Sequence, residues 1–325
     1  MMEAMTLARP TILVVGEALV DVVPGPDGTP RDHPGGSPAN VAITLGRLEH
    51  DVRLVTLLGD DPRGAAVRAW LEASDVTVLA QPTDTGRTST AAVTLDASGA
   101  ASYVFDLDWH LTAVPDEECE VIHVGSIATV LAPGADAVLD AVRARRGRAV
   151  VSFDPNARPS ITPDRAGPVA RVEELVALAD VVKVSDEDLH WLHPDVDPLA
   201  TATRWASVGP GLVVVTRGGD GAIAVRADGT ALEVPGVPVA VADTVGAGDT
   251  FSGVLVDALL ALGVSGAAGA ETLRALSDRD VLGAVTTAAI GAAINVSRPG
   301  ADPPSRTELA AALGLPPAGG EAGEE

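Results

Sequence analysis

Short, continuous Val/Ile/Leu runs recur along this chain, separated by longer Ala-rich stretches. They are TILVV (11–15), RLVTLL (53–58), EVIHV (120–124), AVVSF (149–153), DVVKV (180–184) and GLVVVT (211–216). None alternates apolar with polar residues, as a strand with one wet face would. Unbroken apolar runs of this length fit strands covered on both faces, the state of a parallel sheet flanked by helices. Helical spacing falls between them, over Ala39–Leu48, Pro62–Ala73, Pro133–Arg145 and Val169–Ala179. The β-α alternation predicts an α/β fold with a doubly wound, mostly parallel sheet. At 325 residues the chain is about twice the usual ~150 per domain.

Two stretches break this rhythm. Leu19–Val23 runs into PGPDGTPRDHPGG, and TSTAAVTL (88–95) is joined through DASGA to ASYVFDL (101–107). The second reads as a hairpin. Together, over about 17–34 and 86–108, they are expected to form a small separate sheet acting as a lid on a main domain spanning 1–315, followed by a flexible tail, 316–325. Two surface hairpins without a role are the plain alternative.

Charge and cysteine content narrow the function. Lys+Arg number 22 against 45 Asp+Glu, a formal charge of −23, which argues against a nucleic-acid binder but leaves room for a small anion site. The single cysteine, Cys119, makes neither an internal disulfide nor a cysteine-based zinc site, and fits a reducing, cytoplasmic setting. The apolar stretch Gly283–Ile294 falls short of the ~20 residues a bilayer needs, so no membrane partner is expected.

The most informative motif is DTVGAGDTF (243–251), which runs into the helical pattern SGVLVDALLAL. Gly246, Ala247 and Gly248 open directly into that helix, where exposed N–H groups and the macrodipole make an anion site. Asp249 stands in the first turn beside it, placed to stay ionised and take a proton from an alcohol attacking a bound phosphoryl group. Capping alone would also favour an Asp there. Walker A is absent, because the only lysine is Lys183, and no G-x-G-x-x-G follows the first strand.

Four further clusters precede helices or follow strands. In GGSPANVA (35–42), Gly35 and Gly36 let a ligand lie against backbone, and Asn40 offers an amide to sugar hydroxyls. Ser37 is not a hydrolase nucleophile, since the next residue, Pro38, has no N–H for an oxyanion hole; a plain helix start is the alternative. Arg158, in FDPNAR (153–158), is suited to neutralising phosphate oxygens. Ser185 and Asp188 sit where a capping box and a hydrated Mg²⁺ site coincide. Thr216, Gly218, Gly219 and Gly221 end a strand with close-approach glycines, or form an ordinary turn. The six histidines show no metal-site spacing.

Taken in order, GEALVD (16–21), GGSPANVA, GDDPRG (59–64), FDPNAR, VKVSDEDL (182–189), VTRGGDGA (215–222), DTVGAGDTFSG and RPGADPP (298–304) resemble the ribokinase-like (PfkB-type) carbohydrate kinases, and their fructokinase-like branch in particular. The resemblance spans nearly the whole chain. It implies an ATP- and Mg²⁺-dependent kinase acting on a sugar hydroxyl beneath a small β lid. It implies Asp249 as base and the 246–248 amides as anion hole. Asp21, Gly36 and Asn40 fall at the family's sugar site, and Lys183, Ser185, Thr216, Gly218, Gly219 and Gly221 along its nucleotide groove. Asn295 falls near the adenine. Asp188 stands where the family often has Glu, shorter by one methylene. A monovalent cation such as K⁺ near the Asp243 loop and a homodimer through the lid occur in the family. Fructose is the first expectation for the sugar; ribose, 2-keto-3-deoxygluconate and nucleosides stay open. A non-catalytic sugar- or nucleotide-binding regulator is the alternative of another class.

Overall fold

The computed structural model describes residues 9–25, 29–95 and 101–316. Thirteen strands occur among them: β1 (Thr11–Val15), β2 (Leu19–Pro24), β3 (Pro30–Gly35), β4 (Asp51–Leu58), β5 (Val76–Pro82), β6 (Thr90–Leu95), β7 (Ala101–Asp106), β8 (Val121–Gly125), β9 (Val150–Asp154), β10 (Val181–Ser185), β11 (Leu212–Thr216), β12 (Ala222–Arg226) and β13 (Ala231–Val234). Nine of them form one sheet in the order β13-β12-β11-β10-β9-β8-β1-β4-β5. It is parallel from β11 through β5 and turns antiparallel at β12 and β13.

The unbroken apolar runs are explained by where successive side chains go. In β1, Ile12 and Val14 join one hydrophobic cluster while Leu13 and Val15 join another, and all four are fully buried. The first cluster takes in helices Ser37–Arg47, Ala247–Ala261 and Asp278–Val296. The second takes in Gly134–Arg145, Ala166–Leu178 and Pro198–Ala206. Period-2 alternation therefore persists, but both faces meet a helix layer, so both must be apolar.

The remaining strands form a separate sheet, β3-β2-β6-β7, with β2 and β6 parallel and the outer pairs antiparallel. The expected hairpin is β6 with β7; its turn, 96–100, lies outside the described residues, as does 317–325 of the expected tail. β3 carries two prolines, Pro30 and Pro34, yet is a strand. It sits at the sheet's edge, where a missing N–H breaks no ladder. Among the described residues no single helix is long and apolar enough to cross a membrane.

Candidate active site

The site is assembled at the carboxyl ends of the parallel strands, where the small sheet faces the large one. Helix Ala247–Ala261 begins there, with Gly246 as its N-cap at φ +72°, a left-handed conformation that favours glycine. Gly246, Ala247 and Gly248 are partly exposed, and the Ala247 N–H donates to Thr244 O at 3.3 Å within the turn. Gly248 lets Lys183 come close: a Cβ there would lie 2.8 Å from Lys183 Nζ.

Asp249 is 7% exposed. Its two carboxylate oxygens are held from two elements. Ser37 Oγ donates to Oδ1 at 2.6 Å and Asn40 Nδ2 to Oδ2 at 2.7 Å. Both donors lie on helix Ser37–Arg47, three residues apart and thus on one face. Asn156 Nδ2, from the loop after β9, donates to Ser37 Oγ at 2.7 Å and lies 3.4 Å from Asp249 Oδ1. Burial raises the Asp249 pKa above the ordinary carboxylate value; the bonds from Ser37 and Asn40 oppose this without cancelling it. An ionised first-turn carboxylate was the sequence-based expectation. The observed group is buried and more basic, while its neighbours at 156–158 and 246–248 remain partly open.

A second buried charge system lies beside it. Lys183 Nζ donates to Asp154 Oδ2 at 3.0 Å, and Ser252 Oγ donates to the same oxygen at 3.0 Å. Burial works against the ammonium, but Asp154, with Asp188 and Asp249 further off, outweighs it and raises the pKa. Lys183 is therefore a cation pressed against the open end of a helix, where an anion would be favoured.

Asp188 serves the cap of its own helix, where its N–H donates to Ser185 Oγ at 3.0 Å. Its carboxylate reaches outward: Oδ1 accepts from Ala157 N at 3.1 Å. Burial, and then the charge of Asp154, raise its pKa. Among the described residues no group of three or more His, Cys, Asp or Glu is placed to hold a metal alone. Asp188, together with an Asp154 Oδ1 buried without a hydrogen-bond partner, suits an ion that keeps most of its water or shares phosphate oxygens.

Among the residues expected to meet a sugar, a Cβ at Gly35 would lie 2.4 Å from Asp21 Oδ2. Asp21 has its pKa raised by burial, against the pull of His33 and Arg158. Gly36 caps helix Ser37–Arg47. Arg158 folds back on its own loop, its Nη1 donating to Asn156 Oδ1 at 2.6 Å.

Among the residues expected along a nucleotide groove, Ser185 and Thr216 are register partners in β10 and β11, and Gly218 and Gly219 are exposed just beyond. Two of the expected groove residues are buried. Gly221 is buried, where a Cβ would strike Val234 O at 2.1 Å, so it closes the turn into β12. Asn295 has no exposed surface, and its Nδ2 donates to Val245 O at 2.8 Å; it braces the loop ahead of Gly246 from beneath. Sequence reasoning missed Ser37, Asn156 and Asp154 as parts of the site. All three lay inside motifs already singled out, but no spacing rule links 37, 156 and 249.

Residues 9–308 match the family model described as pfkB family carbohydrate kinase. A fructokinase of Rhizobium leguminosarum bv. trifolii is 38% identical over 261 residues, 75% of this chain and 78% of that protein. The crystal structure of a fructokinase with bound ATP from Xylella fastidiosa superposes with a TM-score of 0.84 at 28% identity, covering 94% of this chain and 98% of the other. A double mutant of the fructokinase from Vibrio cholerae O395, in its fructose, ADP and potassium ion bound form, superposes with a TM-score of 0.77 at 28% identity, covering 95% and 98%.

Proposed function

This chain belongs to the pfkB family of carbohydrate kinases, and we propose that within it the protein is an ATP-dependent fructokinase with Asp249 as its base. The observation that carries this reading is the pairing of Asp249 with the Gly246–Gly248 helix start, a buried carboxylate beside a partly exposed glycine-rich turn.

Asp249 takes the proton of the sugar hydroxyl as that oxygen attacks the γ-phosphorus in line. The carboxylate is oriented by Ser37 and Asn40, and its raised pKa makes it a better acceptor than an exposed aspartate. The 246–248 amides and Lys183 face the charge that spreads over the phosphoryl oxygens. Asp21, Gly35, Gly36, Asn40 and Arg158 line the sugar side. Ser185, Thr216, Gly218 and Gly219 line the nucleotide side. The small sheet is the lid, and its closure excludes water that would otherwise accept the phosphoryl group. Mg²⁺, when bound with the nucleotide, supplies charge neutralisation, and Asp188 is the residue that would hold it through water. A monovalent cation beside the Asp243 loop has a ready acceptor in Asn295 Oδ1, buried without a donor; exchanging potassium for sodium in the assay reads that requirement. A homodimer through the lid, with Val104 57% exposed on β7, is read by light scattering. A cytoplasmic setting is consistent with the single cysteine.

ADP release measured over a panel of fructose, ribose, 2-keto-3-deoxygluconate and nucleosides tests the reading. Fructose is expected to give the highest kcat/KM; binding without turnover on every sugar would favour a regulator instead. Asp249→Asn is expected to keep the fold and lower kcat by on the order of 10²–10⁴. A loss below about tenfold with normal melting would remove Asp249 as base.

A further inference from the structure

The acidic residue of GEALVD that phosphoryl transfer leaves unused is Glu17. It lies between β1 and β2, where the chain leaves the large sheet for the small one. Its side chain is buried. Oε2 accepts from Ala128 N at 3.3 Å, and the carboxylate takes a second bond from the Ser126 side chain. Ser126 opens a single 3-10 turn, Ser126–Thr129, at the carboxyl end of β8, and holds φ +54°, a conformation disfavoured for any residue with a Cβ.

All four connections between the two sheets pass close to Glu17. Glu17 shares a small cavity with Ser89, ahead of β6, and Leu107, after β7. A Cβ on Gly36, after β3, would lie 2.6 Å from Glu17 O. On its other side the Ser126 turn lines a second cavity with Asn156, Ala157 and Arg158. Asn156 is the residue that donates to Ser37 beside Asp249. Of the charged groups around Glu17, Arg158 attracts it from the loop after β9. Asp108 lines the same cavity but is engaged with His110 and Thr85.

We propose that Glu17 is a positioning residue: its carboxylate staples the root of the small sheet to the Ser126–Thr129 turn, and through that turn sets the Asn156–Arg158 loop against Asp249. The inference rests on the kinase reading above. Burial, opposed by Ser126, then Glu17's own backbone, Arg158 and the Ala128 amide, pushes the Glu17 pKa up to about 7. The ionised form accepts both bonds. The protonated form must give up one acceptor position to its own hydrogen.

The test is kcat/KM for fructose at saturating ATP across about pH 5.5–9, in wild type, Glu17→Gln and Glu17→Asp, with melting of all three at both ends of the range. Wild-type kcat/KM is expected to rise through an ionisation near neutrality that E17Q lacks. At high pH E17Q is expected to lie about tenfold or more lower, with KM for ATP unchanged. E17D, one methylene short of Ser126, should lose kcat/KM to a similar degree. The unfolded chain loses this proton near 4.5 and the folded one near 7, so wild-type stability falls as pH rises through that window and stays lower above it. E17Q, uncharged throughout, should therefore lack that pH-dependent fall in melting temperature. Retention of the neutral ionisation in E17Q, wild-type kcat/KM in E17Q or E17D, or the same pH-dependent fall in melting in E17Q as in wild type would each overturn the proposal. If no sugar were phosphorylated, the kinase reading would fail by itself, and the melting comparison would still decide for or against the staple. Should E17Q not fold, the E17D kinetics decide.

Discussion

At the residue scale, the candidate base is defined by what donates to it. Each oxygen of Asp249 has one short bond, from Ser37 and from Asn40. Both favour the ionised form, and removing either leaves burial less opposed. Ser37→Ala is therefore expected to raise the Asp249 pKa further. The base works only when ionised, so the acid limb of kcat/KM should move to higher pH, with KM for ATP little changed. A pH–rate profile checks this; an unmoved limb would mean that Ser37 does not tune the base. Asp249 was legible in the chain because Gly-Ala-Gly-Asp opening a helix is a local pattern with a local meaning. Ser37 was not. Its role depends on a contact spanning more than two hundred positions, and locally it looked like a failed nucleophile or a helix start. Asn295 was expected near the adenine only through the family resemblance; in the structure it is buried and its Nδ2 donates to Val245 O.

At the scale of elements, the helix that carries Asp249 is held by its packing on helix Asp278–Val296. Gly291 makes the close approach, since a Cβ there would lie 2.6 Å from Val254 Cγ2. Gly291→Ala is expected to cost about 1–3 kcal/mol through overpacking, read as a lower denaturant midpoint, with kcat per folded molecule near wild type. Gly248→Ala tests the other end of the same helix. Its added methyl would meet Lys183 Nζ rather than a packed core, so kcat should drop by about tenfold or more while melting shifts little. A kcat within twofold of wild type would mean that the ammonium relocates without loss. Element identity was well legible from the apolar runs, while boundaries moved by a few residues. The helix expected over Ala39–Leu48 begins at Ser37 and ends at Arg47, and that shift brings Ser37 inside it. β3 was hidden by its prolines, because only the pairing of β3 at a sheet edge makes them harmless.

At the scale of the whole molecule, the formal charge of −23 is a self-repulsion that compaction must overcome. Raising salt from about 0.05 to 0.5 M shortens the Debye length severalfold, so the melting temperature is expected to rise. A fall with sodium chloride would show that attractive surface pairs dominate instead. The sequence by itself determined the layered α/β architecture, because strands covered on both faces must be apolar at every position, and that constraint is written locally. It determined the candidate anion site as well, since a glycine-rich helix start favours anions wherever that helix lies. Tertiary structure alone decided which donors converge on Asp249, which lysine–aspartate pair stands beside it, and that Glu17 sits where both sheets meet. Those are contacts between residues far apart in the chain, and neither hydrophobic period nor local spacing carries information about them.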